Sequence, residues 1–155
     1  NPGREKPTFG EKSVVSPVDG KVLSISNVDN EDWAYKVEIE TRCRNVSILR
    51  VPMDSAVENI SIKRGARLAG HIPLAKKLNE NAEIIYKNTQ NQKIKVSHML
   101  KQSFDEIHIS IQESQKLPQG SRYGVMINGI TNIYHPQNFR LNITQGSKVR
   151  ASQTL

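Results

Sequence analysis

The chain has 155 residues, of which 36% are hydrophobic and 24% are charged, and its mean hydropathy is -0.54. This composition is typical of one soluble globular domain, and no run approaches the ~20 apolar residues of a membrane-spanning helix. The formal net charge of +7 favours an anionic partner, either acidic phospholipid or nucleic acid, although a solvated basic surface accounts for it equally well. The single cysteine, Cys43, excludes an internal disulfide and a multi-cysteine metal site.

Residues 1–12 are rich in proline, glycine and charge and contain no apolar region. We therefore expect an extended, poorly ordered arm and no signal peptide. Residues 13–155 are expected to form a single β domain. Its first elements are two valines at 14–15, a turn over residues 16–20 and the alternating residues 21–25, which together predict a β-hairpin.

Period-two alternation of apolar and polar residues predicts most of the following elements as strands. Strands are expected at residues 35–40, 46–51, 83–86, 93–99 and 107–111, a strand followed by a turn at 60–68, and a polar hairpin turn at 88–92. The stretch 122–135 is also apolar enough for strands, but Gly124 and Gly129 interrupt it and Pro136 ends it.

One short helix is predicted at residues 73–82, where Leu74, Leu78 and Ala82 fall on one face. The remaining elements predict a mainly β fold, a compact antiparallel sandwich or barrel. Its expected core consists of inward-facing positions: Val22, Ile25, Val37, Ile39, Ile48, Leu49, Val96, Ile109, Val125, Ile127 and Val149.

A short pattern recurs around Gly65, Gly120 and Gly146: an apolar residue, any two residues, glycine, a small residue, a basic residue and an apolar residue. Glycine suits turns that need a positive φ, so we expect three such turns between strands. The segments 19–22 and 145–149 also resemble the barrel-sandwich hybrid fold of lipoyl and biotinyl carriers. No attachment-lysine motif is present, which argues against a swinging-arm carrier.

Three motifs carry a stronger resemblance: Ser-Pro-Val-Asp-Gly at 16–20, Pro-Met-Asp-Ser-Ala at 52–56, and Arg-Tyr-Gly-Val-Met-Ile-Asn-Gly-Ile-Thr-Asn-Ile-Tyr-His-Pro at 122–136. In order, they resemble the Ser-Pro-Ala/Val-Asp-Gly, Pro-x-Asp-x-His and Arg-Phe-Gly-Phe-Ile-x-Phe-Gly-Ser segments of the phosphatidylserine decarboxylases. The resemblance extends over essentially the whole chain. It implies a carboxy-lyase of phospholipid biosynthesis that cuts itself at a Gly-Ser bond and converts the serine into a pyruvoyl group.

The resemblance also assigns roles to individual positions. Asp19 is the retained aspartate of the family's self-cleavage triad, although an aspartate in a turn before glycine fits the same local sequence. Asp54 is the aspartate of the second motif. The histidine expected two residues later is Ala56 here, and the position of a second histidine is Asn59. His71 is the nearest histidine and lies outside the motif.

The serine expected after Gly129 is replaced by Ile130, and the third motif is one residue short. Self-cleavage requires a hydroxyl that attacks the preceding carbonyl and a base that takes its proton, and isoleucine has no hydroxyl. Thr131 carries the nearest hydroxyl, which after elimination would give a ketobutyryl group. We therefore expect no pyruvoyl cofactor in this chain.

Two functional interpretations remain open. The first is a catalytically silent, uncleaved relative that binds an anionic phospholipid surface, a protein partner or a second copy of itself. The second is an active decarboxylase that uses a non-standard residue. The net positive charge is not accompanied by an aromatic RNA-binding motif, which argues against nucleic-acid binding. The histidines are isolated in the sequence, which argues against a metal site. The expected location is the cytoplasm, including peripheral membrane association.

Overall fold

A computed structural model describes residues 14–28, 30–63, 81–100, 107–136 and 143–155; within these ranges, the side chains at 42–46, 63, 127 and 128 are not described. The predicted arm at 1–12, the predicted turn at Gly65 and His71 lie outside the described residues. The described ranges form a β protein in which every strand pairing is antiparallel. The prediction of a mainly β, antiparallel fold is therefore confirmed.

The described residues contain nine strands, which make up one sheet: β1 Gly20–Asn27, β2 Tyr35–Arg50, β3 Ser55–Lys63, β4 Asn81–Lys87, β5 Lys93–Leu100, β6 Ile107–Ile109, β7 Lys116–Leu117, β8 Arg122–His135 and β9 Lys148–Val149. Their order across the sheet is β7-β3-β4-β5-β8-β2-β1-β9, and β6 pairs separately with β8. The two longest strands, β2 and β8, therefore lie side by side in the middle.

The predicted strands at 35–40 and 46–51 are one continuous strand, β2, of 16 residues. Its register against β8 shifts between Thr41 and Val46, which marks an irregularity of the β-bulge type. Because the bulge absorbs the polar residues between the two apolar runs, the alternation resumes without a turn. The sequence pattern showed the two runs but not that they share a strand.

The prediction that glycines interrupt residues 122–135 is wrong, because β8 runs unbroken through both Gly124 and Gly129. The glycines instead allow a close approach of neighbouring strands. A Cβ atom at Gly124 would collide with the carbonyl oxygen of His108 in β6, and one at Gly129 would lie 2.8 Å from the carbonyl oxygen of Met99 in β5.

The predicted N-terminal hairpin does not form. Val15 makes an isolated bridge with Thr154 near the C-terminus, while β1 pairs with β2 on one side and β9 on the other. The valines at 14–15 are therefore neighbours of the last residues rather than of β1. Alternation indicates that a segment is a strand, but it does not specify its partner.

The predicted helix at 73–82 lies outside the described residues except for its last two positions, and there the prediction is wrong. Asn81 and Ala82 begin β4, in which Ala82, Ile84 and Tyr86 are buried at every second position. The i, i+4 spacing between Ala82 and the preceding leucines suggested a helix, but Ala82 belongs to the alternating, period-two pattern of the following strand. No helix occurs in the described ranges.

The core lies on the inward faces of the central strands. Of the predicted core residues, six are buried: Val22, Val37, Ile39, Leu49, Val96 and Val149. Four others are only partly buried, namely Ile25, Ile48, Ile109 and Val125, and the side chain of Ile127 is not described. Each fully buried aliphatic side chain contributes about 1.5–3 kcal/mol. The predicted glycine turns at Gly120 and Gly146 have φ values of 83° and 89°, as a positive-φ turn requires.

Candidate functional site

Position 130 lies within β8, between two neighbouring strands. Ile130 is opposite Glu40 of β2 and Met99 of β5. In the described part of the chain, no residue of β8 has a positive φ. The Gly129–Ile130 peptide bond, where the sequence resemblance places a cleavage site, is therefore held in a regular strand that is paired on both sides.

Thr131, the next residue, points into the core. Its side chain is buried, and its Oγ1 atom lies 2.8 Å from Nδ1 of His98. The other ring nitrogen of His98 forms a hydrogen bond with the hydroxyl of Tyr123, whose ring meets that of Tyr86 edge-on with 5.9 Å between ring centroids. We refer to Tyr86, His98, Tyr123 and Thr131 as the buried polar cluster.

Burial determines the ionisation of the buried polar cluster. It lowers the pKa of His98 from 6.5 to about 3 and raises the pKa values of Tyr123 and Tyr86 well above their ordinary value. The imidazole of His98 is therefore neutral near pH 7, so one ring nitrogen donates a hydrogen bond and the other accepts one. A neutral imidazole beside a hydroxyl is the pair that nucleophilic activation requires, and it is also a fully satisfied polar pair of a protein core.

The cluster arises from strand register. His98 and Thr131 are directly opposite each other in the β5–β8 pair, and both face inward. In β5 the inward residues are Ile94, Val96, His98 and Leu100. In the sequence His98 is an isolated histidine, and its contact with Thr131 was not predicted. The available signal was its inward position in an alternating strand.

Asp19, the retained aspartate, joins the two ends of the domain. Its Oδ1 atom accepts a hydrogen bond of 2.6 Å from the backbone N–H of Ala151. Its carbonyl oxygen accepts another, of 2.7 Å, from the hydroxyl of Thr41, and Thr41 is opposite Gly129. The aspartate thus lies close to the expected cleavage position, while its carboxylate holds the C-terminal turn.

Asp54 and Ala56 lie at the other end of the sheet. The exposed carboxylate of Asp54 accepts a hydrogen bond of 2.6 Å from the backbone N–H of Gln119, which ties the start of β3 to the turn before β8. Ala56, the position of the expected histidine, is half-buried in β3 and lies opposite Lys87 and Lys116.

The structure does not bring Ala56 and Ile130 together in the sheet. Residues that pair directly across neighbouring strands form a row perpendicular to the strands. The row that contains Ala56 passes through Lys87 of β4 and reaches β5 at Lys93. The row that contains Ile130 meets β5 at Met99. At ~3.3 Å per residue, these two points on β5 are about 20 Å apart. Of the predicted site residues, Asp19, Ile130 and Thr131 lie near one another, and Asp54 and Ala56 lie apart from them.

A pyruvoyl group does not fit the residues present. The group forms from a serine, and the residue after Gly129 is an isoleucine in a doubly paired strand. Its side chain offers no oxygen from which the group could be made. Within the described ranges, no three histidine, cysteine, aspartate or glutamate side chains are arranged to hold a metal ion. Likewise, no helix of the described residues has the length and apolar character to cross a membrane.

The fold and the motif positions define an all-antiparallel β domain in which an isoleucine follows Gly129 in the third motif. The chain belongs to the phosphatidylserine decarboxylase family, because the model of that family matches residues 1–155. The recognition made from the three sequence motifs is therefore confirmed.

Relatives align with nearly the full length of this chain at low sequence identity. The phosphatidylserine decarboxylase proenzyme of Syntrophus aciditrophicus is 29% identical, over 99% of this chain and 74% of the relative. That of Desulfotalea psychrophila is 26% identical, over 92% of this chain and 69% of the relative. A third proenzyme, from Burkholderia mallei, is 24% identical over 100% of this chain and 73% of the relative. No solved structure matches the chain.

Proposed function

We propose that this chain is a phosphatidylserine decarboxylase-like domain that remains a single chain, does not decarboxylate, and binds an anionic phospholipid surface or a protein partner. The observation that carries this proposal is the residue at position 130. Ile130 follows Gly129 in a strand paired on both sides. Self-cleavage needs a nucleophile at this bond, and isoleucine supplies none.

The position of the expected base supports the same conclusion. Ala56 has no titratable group, and its row crosses β5 about 20 Å from the row of Ile130. A general base must lie within hydrogen-bond reach of the proton that it removes. The nucleophile and the base of the family motif are therefore both missing, and their positions are apart.

An active enzyme with a non-standard residue is the second candidate, and the contact of 2.8 Å between Thr131 and His98 favours it. In that case Thr131 would be the nucleophile and His98 the base. Against it stands the regular, doubly paired backbone of β8 around Thr131. The same contact satisfies two buried polar groups, which is the usual state of such groups in a core.

Binding to an anionic surface rests on charge. The net charge is +7, and basic residues near an anionic leaflet contribute roughly 1 kcal/mol each. The sequence also places short basic clusters at residues 63–64 and 76–77. Charge alone does not distinguish one anionic headgroup from another, so we expect weak binding without headgroup specificity.

Intact-mass measurement of the purified protein tests the proposal. We expect one chain with the mass of the uncleaved sequence. The Ile130→Ser variant supplies a hydroxyl, but it should also remain uncleaved, because groups that act as a unit recover little activity when only one is restored. Ile130→Ala is the matched control, since it removes the same side chain without adding a hydroxyl.

Cleavage of the wild-type protein into two chains would refute the proposal, and its loss in Thr131→Val would assign the nucleophile to Thr131. Cleavage of Ile130→Ser, but not of Ile130→Ala, would show that the missing serine alone silences the chain. Adding Ala56→His to Ile130→Ser should still give one chain, because the two positions are far apart in the sheet.

A further inference from the structure

A groove lies over Ala56 on the outer face of the sheet, between the β7 edge and the β4–β5 turn. Its volume is about 840 Å³. Its lining includes Ala56, Lys87, Asn88, Thr89, Lys116 and Leu117. Ala56, whose side chain is only a methyl group, lies between the strands that carry Lys87 and Lys116.

The two lysines that flank Ala56 are fixed by strand register. Lys116 of β7 and Lys87 of β4 are each directly opposite Ala56. Side chains at directly opposite positions have Cβ atoms ~5 Å apart, so the two lysines begin about 10 Å apart with the alanine between them. Their long side chains can therefore converge on one point above Ala56.

Two carboxylates, those of Asp54 and Glu58, also line the groove, and each already has another partner. Glu58 pairs with Lys93 at 3.0 Å, and Asp54 accepts the hydrogen bond of the Gln119 backbone. Across the described residues, neither Lys87 nor Lys116 forms an ion pair. Two like charges held on either side of an empty position repel each other, and an anion placed between them removes that repulsion.

We propose that this groove binds a phosphate group, held between Lys87 and Lys116 above Ala56. A phosphate presents several acceptor oxygens, so it can accept charge-assisted hydrogen bonds from both ammonium groups at once. The Thr89 side chain supplies a further hydroxyl at the rim, and Leu117 gives one wall an apolar surface that suits the carbon skeleton of an ester. The phosphate belongs either to a soluble phosphate compound or to a lipid headgroup.

This inference rests on the proposed function, because it names the place where a silent member of the family would hold its anion. Ala56 is central to it. A histidine at this position would occupy the space above the sheet, whereas alanine leaves that space to the ligand. The residue that removes the expected base therefore also opens the groove.

The test is a titration of the protein with inorganic phosphate at low salt, in which the amide chemical shifts are recorded by NMR at each phosphate concentration. We expect saturable shifts that include residues of the groove. The double variant Lys87→Gln/Lys116→Gln should weaken phosphate binding by roughly tenfold or more, because it removes both charged donors that would bind the phosphate oxygens.

The matched control is Lys21→Gln/Lys148→Gln. These two lysines are exposed and directly opposite each other at the β1–β9 edge. Their removal lowers the net charge by the same amount. Phosphate binding should remain within about twofold of wild type in this control. Equal weakening in both double variants, or shifts that do not include the groove, would overturn the proposal.

A second variant addresses folding. Ala56→Glu places a carboxylate between the two lysines, so we expect loss of phosphate binding together with an unchanged or higher unfolding temperature. Retained phosphate binding in this variant would contradict the proposed position of the ligand.

Co-sedimentation with phosphatidylcholine vesicles, with and without phosphatidylglycerol, distinguishes the two sources of phosphate. For a lipid headgroup, Lys87→Gln/Lys116→Gln should reduce binding to anionic vesicles more than the control variant does; for a soluble phosphate compound, the two reductions should be equal.

The intact mass of the same preparation reports separately on the proposed function. One chain without phosphate binding would refute the groove alone, and two chains would refute the absence of processing.

Discussion

His98 shows how a single residue acquires its character from its surroundings. Its ring is buried between the hydroxyls of Thr131 and Tyr123, and this burial lowers its pKa to about 3. His135, at the end of β8, is also buried, and burial lowers its pKa to about 4, an effect that the nearby backbone of Ile133 partly opposes. Both imidazoles are therefore neutral in the folded protein near pH 7.

These two histidines predict a loss of stability in acid. In the unfolded chain each histidine takes up a proton near its ordinary pKa of 6.5, whereas in the folded chain it does so only near pH 3 to 4. The unfolded state binds more protons between these values, so the free energy of unfolding falls as the pH decreases below about 6.5. Each histidine contributes a slope of up to about 1.4 kcal/mol per pH unit.

Urea unfolding at a series of pH values from about 7 to about 5 measures this slope. His98→Gln keeps an amide beside Thr131 but cannot become protonated, so its unfolding free energy should depend less steeply on pH. His108→Gln is the control, because it makes the same substitution at an exposed position outside the core. Equal slopes for all three proteins would contradict the assignment to His98.

At the scale of elements, β8 organises the sheet. It pairs with β2 along one side and with β5 and β6 along the other. The close approach of β6 depends on Gly124, since a Cβ atom there would collide with the backbone of His108. The glycine is therefore a requirement of strand packing rather than an interruption of the strand.

Gly124→Ala should destabilise the protein by about 1–3 kcal/mol, because the added methyl group forces β6 away from β8. Urea unfolding gives the change, and faster amide exchange in β6 would locate it. Gly146→Asn is a suitable control, because nothing lies within 4 Å of a Cβ atom there and asparagine tolerates the positive φ of 89°. If both variants were equally stable, the collision with β6 would not be limiting.

At the scale of the whole molecule, the dominant property is an excess of positive charge, a formal net charge of +7. Among the described side chains no lysine or arginine is buried, so the positive charges that they carry are available to a partner. Electrostatic attraction of this kind is long-ranged at low salt and is screened over ~10 Å at about 0.1 M salt.

We expect the protein to co-sediment with anionic vesicles at low salt and to be released as salt increases. Neutral phosphatidylcholine vesicles should bind little protein under the same conditions. Exchanging phosphatidylglycerol for phosphatidylserine at equal charge should have little effect. Equal binding to neutral and anionic vesicles at low salt would exclude the membrane surface and would leave a protein partner as the better proposal.

The sequence by itself determined properties that depend on neighbouring residues. Alternation predicted the β4–β5 hairpin, and glycine patterns predicted the positive-φ turns at Gly120 and Gly146. Motif spacing was sufficient to identify the family and the isoleucine at position 130. These features are local because side-chain periodicity and turn chemistry act over a few residues.

Only the tertiary structure decided which distant segments meet. It joined the two predicted strands into β2, paired Val15 with Thr154, and placed His98 against Thr131. It also placed Ala56 between Lys87 and Lys116, away from Ile130. Such contacts depend on strand order and register, which are set by burial of the whole sheet. A strand's own residues specify which face it buries but not its neighbour.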